Sequence, residues 1–490
     1  MPPRSNDPTQ SARTSRRRRL VLAGLAAGVI VLALVAARAW RPAEPARRPS
    51  IVFLLVDTLR ADALGAYGFQ GPVSPRLDAL AEESVLFERA FSQAPWTKPS
   101  IASLLTSLQP DTHRVLSHRG QYGDREQAAG ETTEVLPADA VTLAEALRDA
   151  GYATAAFVAN PWLLVEHGFG QGFDVFDARP LLGKPPVATV LLRRARRWLA
   201  RRDPERPFFL YLHFMDVHGP YDAPDADYEA VRASPGLPAS RTLTAAETAG
   251  LPPYLLRARW AADPGADDLR TWHARYAAGV HALDRQLGPF LDRLEASGVL
   301  DDAIVVLTSD HGEELLEHGG WDHGHRLYDE QIRVPLLIRL PRGASGGRRV
   351  DEVVSLVDLM PTLLARAGAP APPPTQGRDL SPLLEGADSA GPGTTFAGAV
   401  KWNPEMRSVR TAAAKLIRDG RAGAAQAFDL TRDPGEQHDV AREEPQLVAE
   451  LEASLAEHRR ALAAQPALAP EQVEISGETR ERLEALGYTR

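Results

Sequence analysis

The stretch that most constrains the fold is Ala303 to Glu313, AIVVLTSDHGE, in which an uncharged run stops at Asp310-His311-Gly312. A short apolar run of this kind reads as a strand buried on both faces of a parallel sheet, with the polar pair just past its carboxyl end. Open α/β sheets bind ligands along that edge. A second run, Ile51 to Val56 (IVFLLV), is stopped in the same way by Asp57. Two such strands would bring Asp57 and Asp310 to one edge, and carboxylates beside an imidazole suit Mn²⁺, Zn²⁺, Mg²⁺ or Ca²⁺. Taken singly, either Asp has a plainer role, capping the turn after its strand.

The rest of the chain alternates strand and helix patterns. Strands are expected at Thr154–Ala159, which leads to Asn160, at Phe208–Phe214 (FFLYLHF), which leads to His218, and at Val334–Leu340. Helices are expected at Leu77–Ser84, Thr142–Asp149 and Leu356–Ala367, and along the face Tyr276, Val280, Leu283, Leu287, Leu291 and Leu294, with a kink at Pro289. The alternation predicts an α/β fold with a doubly wound, mostly parallel sheet. Residues 120–137 read as a surface loop, and 222–270 as an insertion over the sheet edge. The segment Glu317 to His325 holds His318, His323 and His325. One or two of them are expected to serve the site, the others being solvated. From Thr394, strand-like pieces around Val409 and Lys415–Arg418, a turn at Asp433-Pro434-Gly435 and a helix from Gln446 to about Leu462 make a smaller C-terminal α+β subdomain.

Ala94-Pro95-Trp96-Thr97-Lys98-Pro99-Ser100 leads into Ile101, Leu104, Leu105 and Leu108 at helical spacing. Pro99 is tolerated only in a first turn, so Thr97 stands at or near a helix start, where unpaired backbone N–H groups favour anions. A capping hydroxyl is the alternative role for Thr97.

Composition closes several routes. The chain has no cysteine, which excludes disulfides, thiolate metal sites and a cysteine nucleophile. A net charge of -8, with no basic stripe beyond the N-terminus, argues against nucleic acid as a partner. Arg16 to Arg19 precede an uncharged run, Leu20 to Ala37, long enough at about 1.5 Å per residue to cross a bilayer core. Residues 1–19 then form a basic cytoplasmic end, 20–37 a single-pass anchor in a bacterial inner membrane, and 38–49 a proline-bearing linker to an extracytoplasmic body. A cleaved signal ending near Ala37-Arg38-Ala39, or a twin-arginine export signal, competes with the anchor. The body divides into a catalytic domain at 50–393, a subdomain at 394–465 and a tail at 466–490. Oligomeric state is left open.

Several spaced motifs then match in one order: IVFLLVDTLRAD from Ile51, Ala94 to Thr106, Tyr276 to Asp284, SDHGE from Ser309, GHRLYDEQIRVP from Gly324, LVDLMPTLL from Leu356 and FDLTRDPGE from Phe428. Together they resemble the sulfatase branch of the alkaline phosphatase superfamily. The resemblance implies an alkaline phosphatase-like domain with a smaller C-terminal subdomain. It makes Asp57, Asp310 and His311 metal ligands joined by Thr97, which falls at the nucleophile's position. His218 and His325 would hold the anionic ester group, one of them protonating the leaving oxygen. Asn160 takes the position of a substrate-binding Lys, and Lys98 is a further expected substrate contact.

Two departures redirect the chemistry. The C/S-x-P-x-R signature, whose first residue becomes formylglycine, reads Thr97-Lys98-Pro99-Ser100-Ile101 here, and Thr58 replaces the second Asp of the usual pair. Oxidised threonine is a ketone, so no formylglycine is expected. The variant resembles instead the phosphodiesterase and phosphotransferase members. The implied function is metal-dependent hydrolysis of a phosphate or phosphonate ester, small or envelope-derived, through Thr97. Alternatives are a sulfuric ester hydrolase in the broad sense, an envelope phosphotransferase, or a noncatalytic metal-binding protein.

Overall fold

The computed structural model describes residues 48–116, 132–178, 187–391, 393–401, 403 and 405–485. The basic N-terminus, the anchor or signal run and the linker up to Arg47 lie outside the described residues. Among the described residues, no helix is long and apolar enough to cross a membrane.

Apolar runs, without Asp, Glu, Lys or Arg in four adjacent strands and with charges toward the edges, assemble an eight-stranded sheet. Across it the strands are Arg348–Ser355, Val85–Phe91, Arg333–Arg339, Ala303–Thr308, Ser50–Val56, Phe208–Phe214, Ala153–Val158 and Val175–Ala178. Arg333–Arg339 is antiparallel to both of its neighbours, and every other pair is parallel. Ser50–Val56 lies mid-sheet, with Ile51 to Val56 fully buried. Its alternate residues face two helical layers. Val52, Leu54 and Val56 meet the helix Leu269–Ala296, while Ile51, Phe53 and Leu55 meet the helices Thr97–Thr106 and Leu359–Ala367. Each such side chain contributes about 1.5–3 kcal/mol by leaving water, which is why these runs tolerate no charge until their ends.

All six residues of the expected face on Leu269–Ala296 are buried. The helix continues through Pro289, which is exposed, so the missing N–H falls on the solvent side. The insertion is ordered rather than loop-like. It carries the helices Asp225–Val231 and Ala245–Ala249 and packs on the long helix, Trp260 meeting Trp272 at 4.6 Å between ring centroids.

Part of the expected surface loop is a strand. Thr132–Val135 pairs antiparallel with Glu471–Glu474 of the tail, and Ile475 and Leu483 then pack beside Trp96 and Trp162. The smaller C-terminal sheet is antiparallel, in the order Thr395–Ala397, Met406–Arg410, Ala414–Asp419, Ala424–Asp429, and is covered by Pro445–Ala463 through Leu451 and Leu455. A buried ionic network joins it to the larger sheet's loops: Lys415 Nζ lies 2.8 Å from Asp329 Oδ1 and 2.6 Å from Glu436 Oε1.

Candidate active site

Strand register explains why distant residues meet. Leu55 is paired with both Thr308 and His213, so the residues that follow on all three strands share one edge. Asp57, Asp310 and His311 arrive there from strand ends, and Thr97 opens its helix against them. Trp96, not Thr97, occupies the N-cap position, so the capping role does not apply. Thr97 Oγ1 lies 3.3 Å from His311 Nε2 and 3.5 Å from Asp57 Oδ2. His311 Nε2 is in turn 3.3 Å from Asp310 Oδ2 and 3.6 Å from Asp57 Oδ1. Thr97, Asp57, Asp310 and His311 are all fully buried.

Thr58, standing where a second Asp was expected, has φ +59, a strained conformation for a β-branched residue. Three bonds hold it: its N–H donates to Asp310 Oδ1 (3.3 Å), its carbonyl accepts from Tyr276 Oη (2.8 Å) and its hydroxyl donates to the Asp57 carbonyl (2.7 Å). Backbone, rather than a further carboxylate, thus orients Asp310.

Asp57 Oδ1 and Asp310 Oδ2 are buried oxygens with no hydrogen-bond partner among the described residues. Burial pushes Asp57 up to about 7, and burial together with the Asp57 charge holds Asp310 well above the usual carboxylate range. Burial and the His323 charge hold His311 well below its ordinary value, as a neutral imidazole. Paired orphan carboxylate oxygens facing a neutral imidazole are a donor set for a hard or borderline divalent cation. His213 adds a donor that the sequence did not single out. Its Nε2 is 3.7 Å from Asp57 Oδ2, neither ring nitrogen has a partner among the described residues, and it groups with Asp57 and Asp310 within 4.8 Å. The available signal was a histidine near the end of the otherwise apolar run FFLYLHF.

Asn160 does reach the centre, where it bonds both Asp57 and Thr97. Its Nδ2 donates to Asp57 Oδ2 at 2.7 Å and to Thr97 Oγ1 at 3.3 Å. His218 lies at the same edge, its Nδ1 2.8 Å from the Gly219 carbonyl; burial and the nearby His323 charge lower it to about 3. His325 is not brought to Thr97: its Nε2 is held 2.9 Å from Glu314 Oε2 and 3.2 Å from Gln331 Nε2. His323 takes the central place instead, its ring 4.4 Å from His311 and 5.1 Å from His218. His323 Nδ1 lies 3.0 Å from Glu313 Oε1 and 2.9 Å from Asp322 Oδ1. Burial disfavours its charge, but Asp322 and Glu313 together outweigh burial and hold an imidazolium well above the ordinary range. Lys98 also departs from expectation. Its Nζ donates to Thr133 Oγ1 and to the Glu134 carbonyl (2.8 Å) and lies 4.9 Å from the Trp162 ring centroid, so it braces the Thr132–Val135 strand.

A mostly parallel sheet with polar groups converging past its strand ends is the architecture of an α/β protein with its site at the sheet's carboxyl edge. The family model Sulfatase matches residues 49–369, and N-sulphoglucosamine sulphohydrolase, C-terminal, matches 316–462. Steryl-sulfatase of Mus musculus is 30% identical over 450 residues, covering 76% of this chain and 70% of that protein. Arylsulfatase of Clostridium perfringens is 25% identical, covering 79% and 89%. Among solved structures, phosphonate monoester hydrolase of Agrobacterium radiobacter superposes with a TM-score of 0.66 at 24% identity, covering 88% of this chain and 99% of that one. A protein in complex with its substrate D-glucosamine-2-N,6-O-disulfate superposes at 0.68 and 22%, covering 86% and 99%. The chain belongs to the sulfatase family of the alkaline phosphatase-like superfamily, whose members are metal-dependent hydrolases.

Proposed function

We propose that this sulfatase-family hydrolase cleaves a phosphate or phosphonate ester outside the cytoplasm, with the unmodified Thr97 hydroxyl as nucleophile. The observation that carries the reading is Thr97 Oγ1 within 3.5 Å of both His311 Nε2 and Asp57 Oδ2, in a chain without cysteine. Asp57, Asp310 and His311, with Thr97 itself, would hold one divalent cation, which when bound lowers the pKa of a hydroxyl and neutralises an anionic ester.

This chain's own groups supply the rest. Asn160 fixes Asp57 Oδ2 and Thr97 Oγ1 together, so the threonine hydroxyl donates toward Asp57 and turns a lone pair to the ester. Thr97 Oγ1 attacks phosphorus in line as its hydroxyl proton passes to Asp57 Oδ2 and the bond to the departing alcohol oxygen breaks. His323, kept protonated between Glu313 and Asp322, gives that oxygen its proton. His218, anchored at Nδ1, binds a non-bridging oxygen with its other nitrogen, and the backbone N–H groups of the first turn of Thr97–Thr106 add to that binding. Water then attacks the threonyl ester and returns one proton to His323, while the P–Oγ1 bond breaks and the departing Thr97 oxygen takes back its own proton from Asp57. His325 and Lys98 take no part, their polar atoms being engaged elsewhere.

Sulfate-ester hydrolysis is the second reading, favoured by the curated relatives, a steryl-sulfatase and an arylsulfatase. Fold neighbours include both a phosphonate monoester hydrolase and a disulfate complex, so the fold is neutral between phosphorus and sulfur. The test is a panel of 4-nitrophenyl phosphodiester, phosphonate and sulfate with Mn²⁺, Zn²⁺ or Ca²⁺. Phosphorus esters are expected to turn over faster, Thr97→Ala to lower kcat by about 10⁴-fold or more, and a quenched reaction to carry phosphate on the Thr97 peptide. Unchanged turnover by Thr97→Ala ends this reading. Export would be directed by Leu20 to Ala37, as anchor or cleaved signal; protease protection of the body in intact cells tests it, and digestion only after lysis of the inner membrane contradicts it.

A further inference from the structure

Strand register sets a second imidazole against the candidate metal ligands. His213 pairs with Leu55, and Asp57 follows Leu55 by two residues, so both side chains leave the sheet on the face covered by the Thr97–Thr106 helix. His213 is fully buried, and neither ring nitrogen has a hydrogen-bond partner among the described residues. Its Nε2 lies 3.7 Å from Asp57 Oδ2, and one nitrogen of the ring stands within 4.8 Å of a carboxylate oxygen of both Asp57 and Asp310. A buried imidazole that only filled space would leave a donor and an acceptor unpaired, which folded proteins rarely tolerate.

The spacings around it are those of donors to one ion. Atoms held about 2.0–2.2 Å from a single cation, in tetrahedral or octahedral order, stand roughly 2.8–3.6 Å from one another. Thr97 Oγ1 and His311 Nε2 are 3.3 Å apart, His311 Nε2 and Asp310 Oδ2 3.3 Å, and His311 Nε2 and Asp57 Oδ1 3.6 Å; His213 Nε2 continues the series at 3.7 Å from Asp57 Oδ2. Thr58, where a second Asp was expected, gives no anionic oxygen, and its hydroxyl is turned to the Asp57 carbonyl at 2.7 Å. The neighbouring strand offers a nitrogen instead. The exchange alters the chemistry, because a set of carboxylates and hydroxyl suits a hard ion such as Ca²⁺ or Mg²⁺, whereas two imidazoles beside two carboxylates suit a borderline one such as Zn²⁺.

We propose that His213 is a metal ligand that takes the place of the missing carboxylate and makes the centre selective for a borderline ion such as Zn²⁺ over Ca²⁺ or Mg²⁺. This rests on the reading that Asp57, Asp310 and His311 hold a cation, and its test counts imidazoles, so that the two can fail separately. The full-length protein, without a polyhistidine tag, is stripped with EDTA and loaded with one equivalent of Zn²⁺. X-ray absorption at the zinc edge should then show two imidazole rings on the ion. Calorimetry with Zn²⁺ or Ca²⁺ alone should show Zn²⁺ bound about 100-fold or more tightly. His213→Gln should remove one ring and weaken Zn²⁺ by about 10–100-fold or more, since even the outer contacts of a ligand count for that much. His213→Asp, which returns a carboxylate, should bring the Zn²⁺ and Ca²⁺ Kd values closer together, which a packing role for His213 would not do. Thr97→Ala should keep both rings whatever its activity. A single ring in the wild type, with binding that Asp57→Asn abolishes, overturns the role of His213 and leaves the centre standing. Zinc binding that Asp57→Asn does not change overturns the centre, and the ligand role with it.

Discussion

Removing the cation should make this protein less stable as pH rises, the reverse of what ion-paired carboxylates do. Burial raises Asp57 from 3.8 to about 7, and Asp310 moves in the same direction. A carboxyl whose folded pKa exceeds its unfolded value binds more protons when folded, so the slope of stability against pH is negative. The contribution is fully present below 3.8 and is lost as pH climbs through about 7. A difference of about three units at 1.36 kcal/mol per unit makes roughly 4 kcal/mol for Asp57, a large part of the 5–15 kcal/mol typical of a domain. A bound divalent cation opposes the loss. At a hundred times its Kd it adds about 2.7 kcal/mol, and its hold strengthens with pH because ligands must be deprotonated. The assay is urea unfolding of the full-length chain in mild detergent, from pH 5 to pH 8, with EDTA or with Mn²⁺. In EDTA the midpoint should fall with pH, and Mn²⁺ should recover most of it at pH 8. Asp57→Asn should flatten the EDTA profile, exceed wild type at pH 8 without metal, and lose the response to Mn²⁺. An EDTA-treated wild type equally stable at pH 5 and pH 8, and indifferent to Mn²⁺, refutes the reasoning.

Two further outcomes follow from buried lysines. Lys415→Met strands Glu436 at the joint between the two sheets and leaves Asp329 to Arg410 alone, and should cost about 3–5 kcal/mol in urea unfolding; a loss below 1 kcal/mol would mean that the network carries no weight. Lys98, pushed down to about 7 by burial, has a folded pKa below its unfolded 10.5, so the stability its neutral form provides is present above 10.5 and lost as pH falls through about 7. Lys98→Met, which has no charge to lose on burial, should therefore not lower stability at pH 7, and should leave KM for an aryl ester within about twofold. A tenfold rise in KM would return Lys98 to the substrate site.

Residue type and periodicity alone determined a good deal here. The uncharged runs before Asp57 and Asp310 required a sheet buried on both faces, and parallel strands in such a sheet all present their carboxyl ends at one edge. That is enough to bring Asp57, Asp310 and His311 together whatever the loops do, and Pro99 is enough to put Thr97 at a helix start. What depended on tertiary structure is the direction of side chains leaving that edge. Lys98 is next to Thr97 in sequence, but consecutive helical residues point about 100° apart, and its ammonium ends under Trp162. The left-handed residues Asp322 (φ +78) and Gly324 (φ +85) turn the backbone on either side of His323. That turn carries His323 to His311, leaves His325 with Glu314 and leaves His318 stacked on Tyr328 at 3.6 Å. His213 joined the site through strand register, which an apolar run does not announce. The loop after Thr395–Ala397 reaches Trp96 and Gly324 only because a separate sheet docks there, a contact made by packing between segments far apart in the chain.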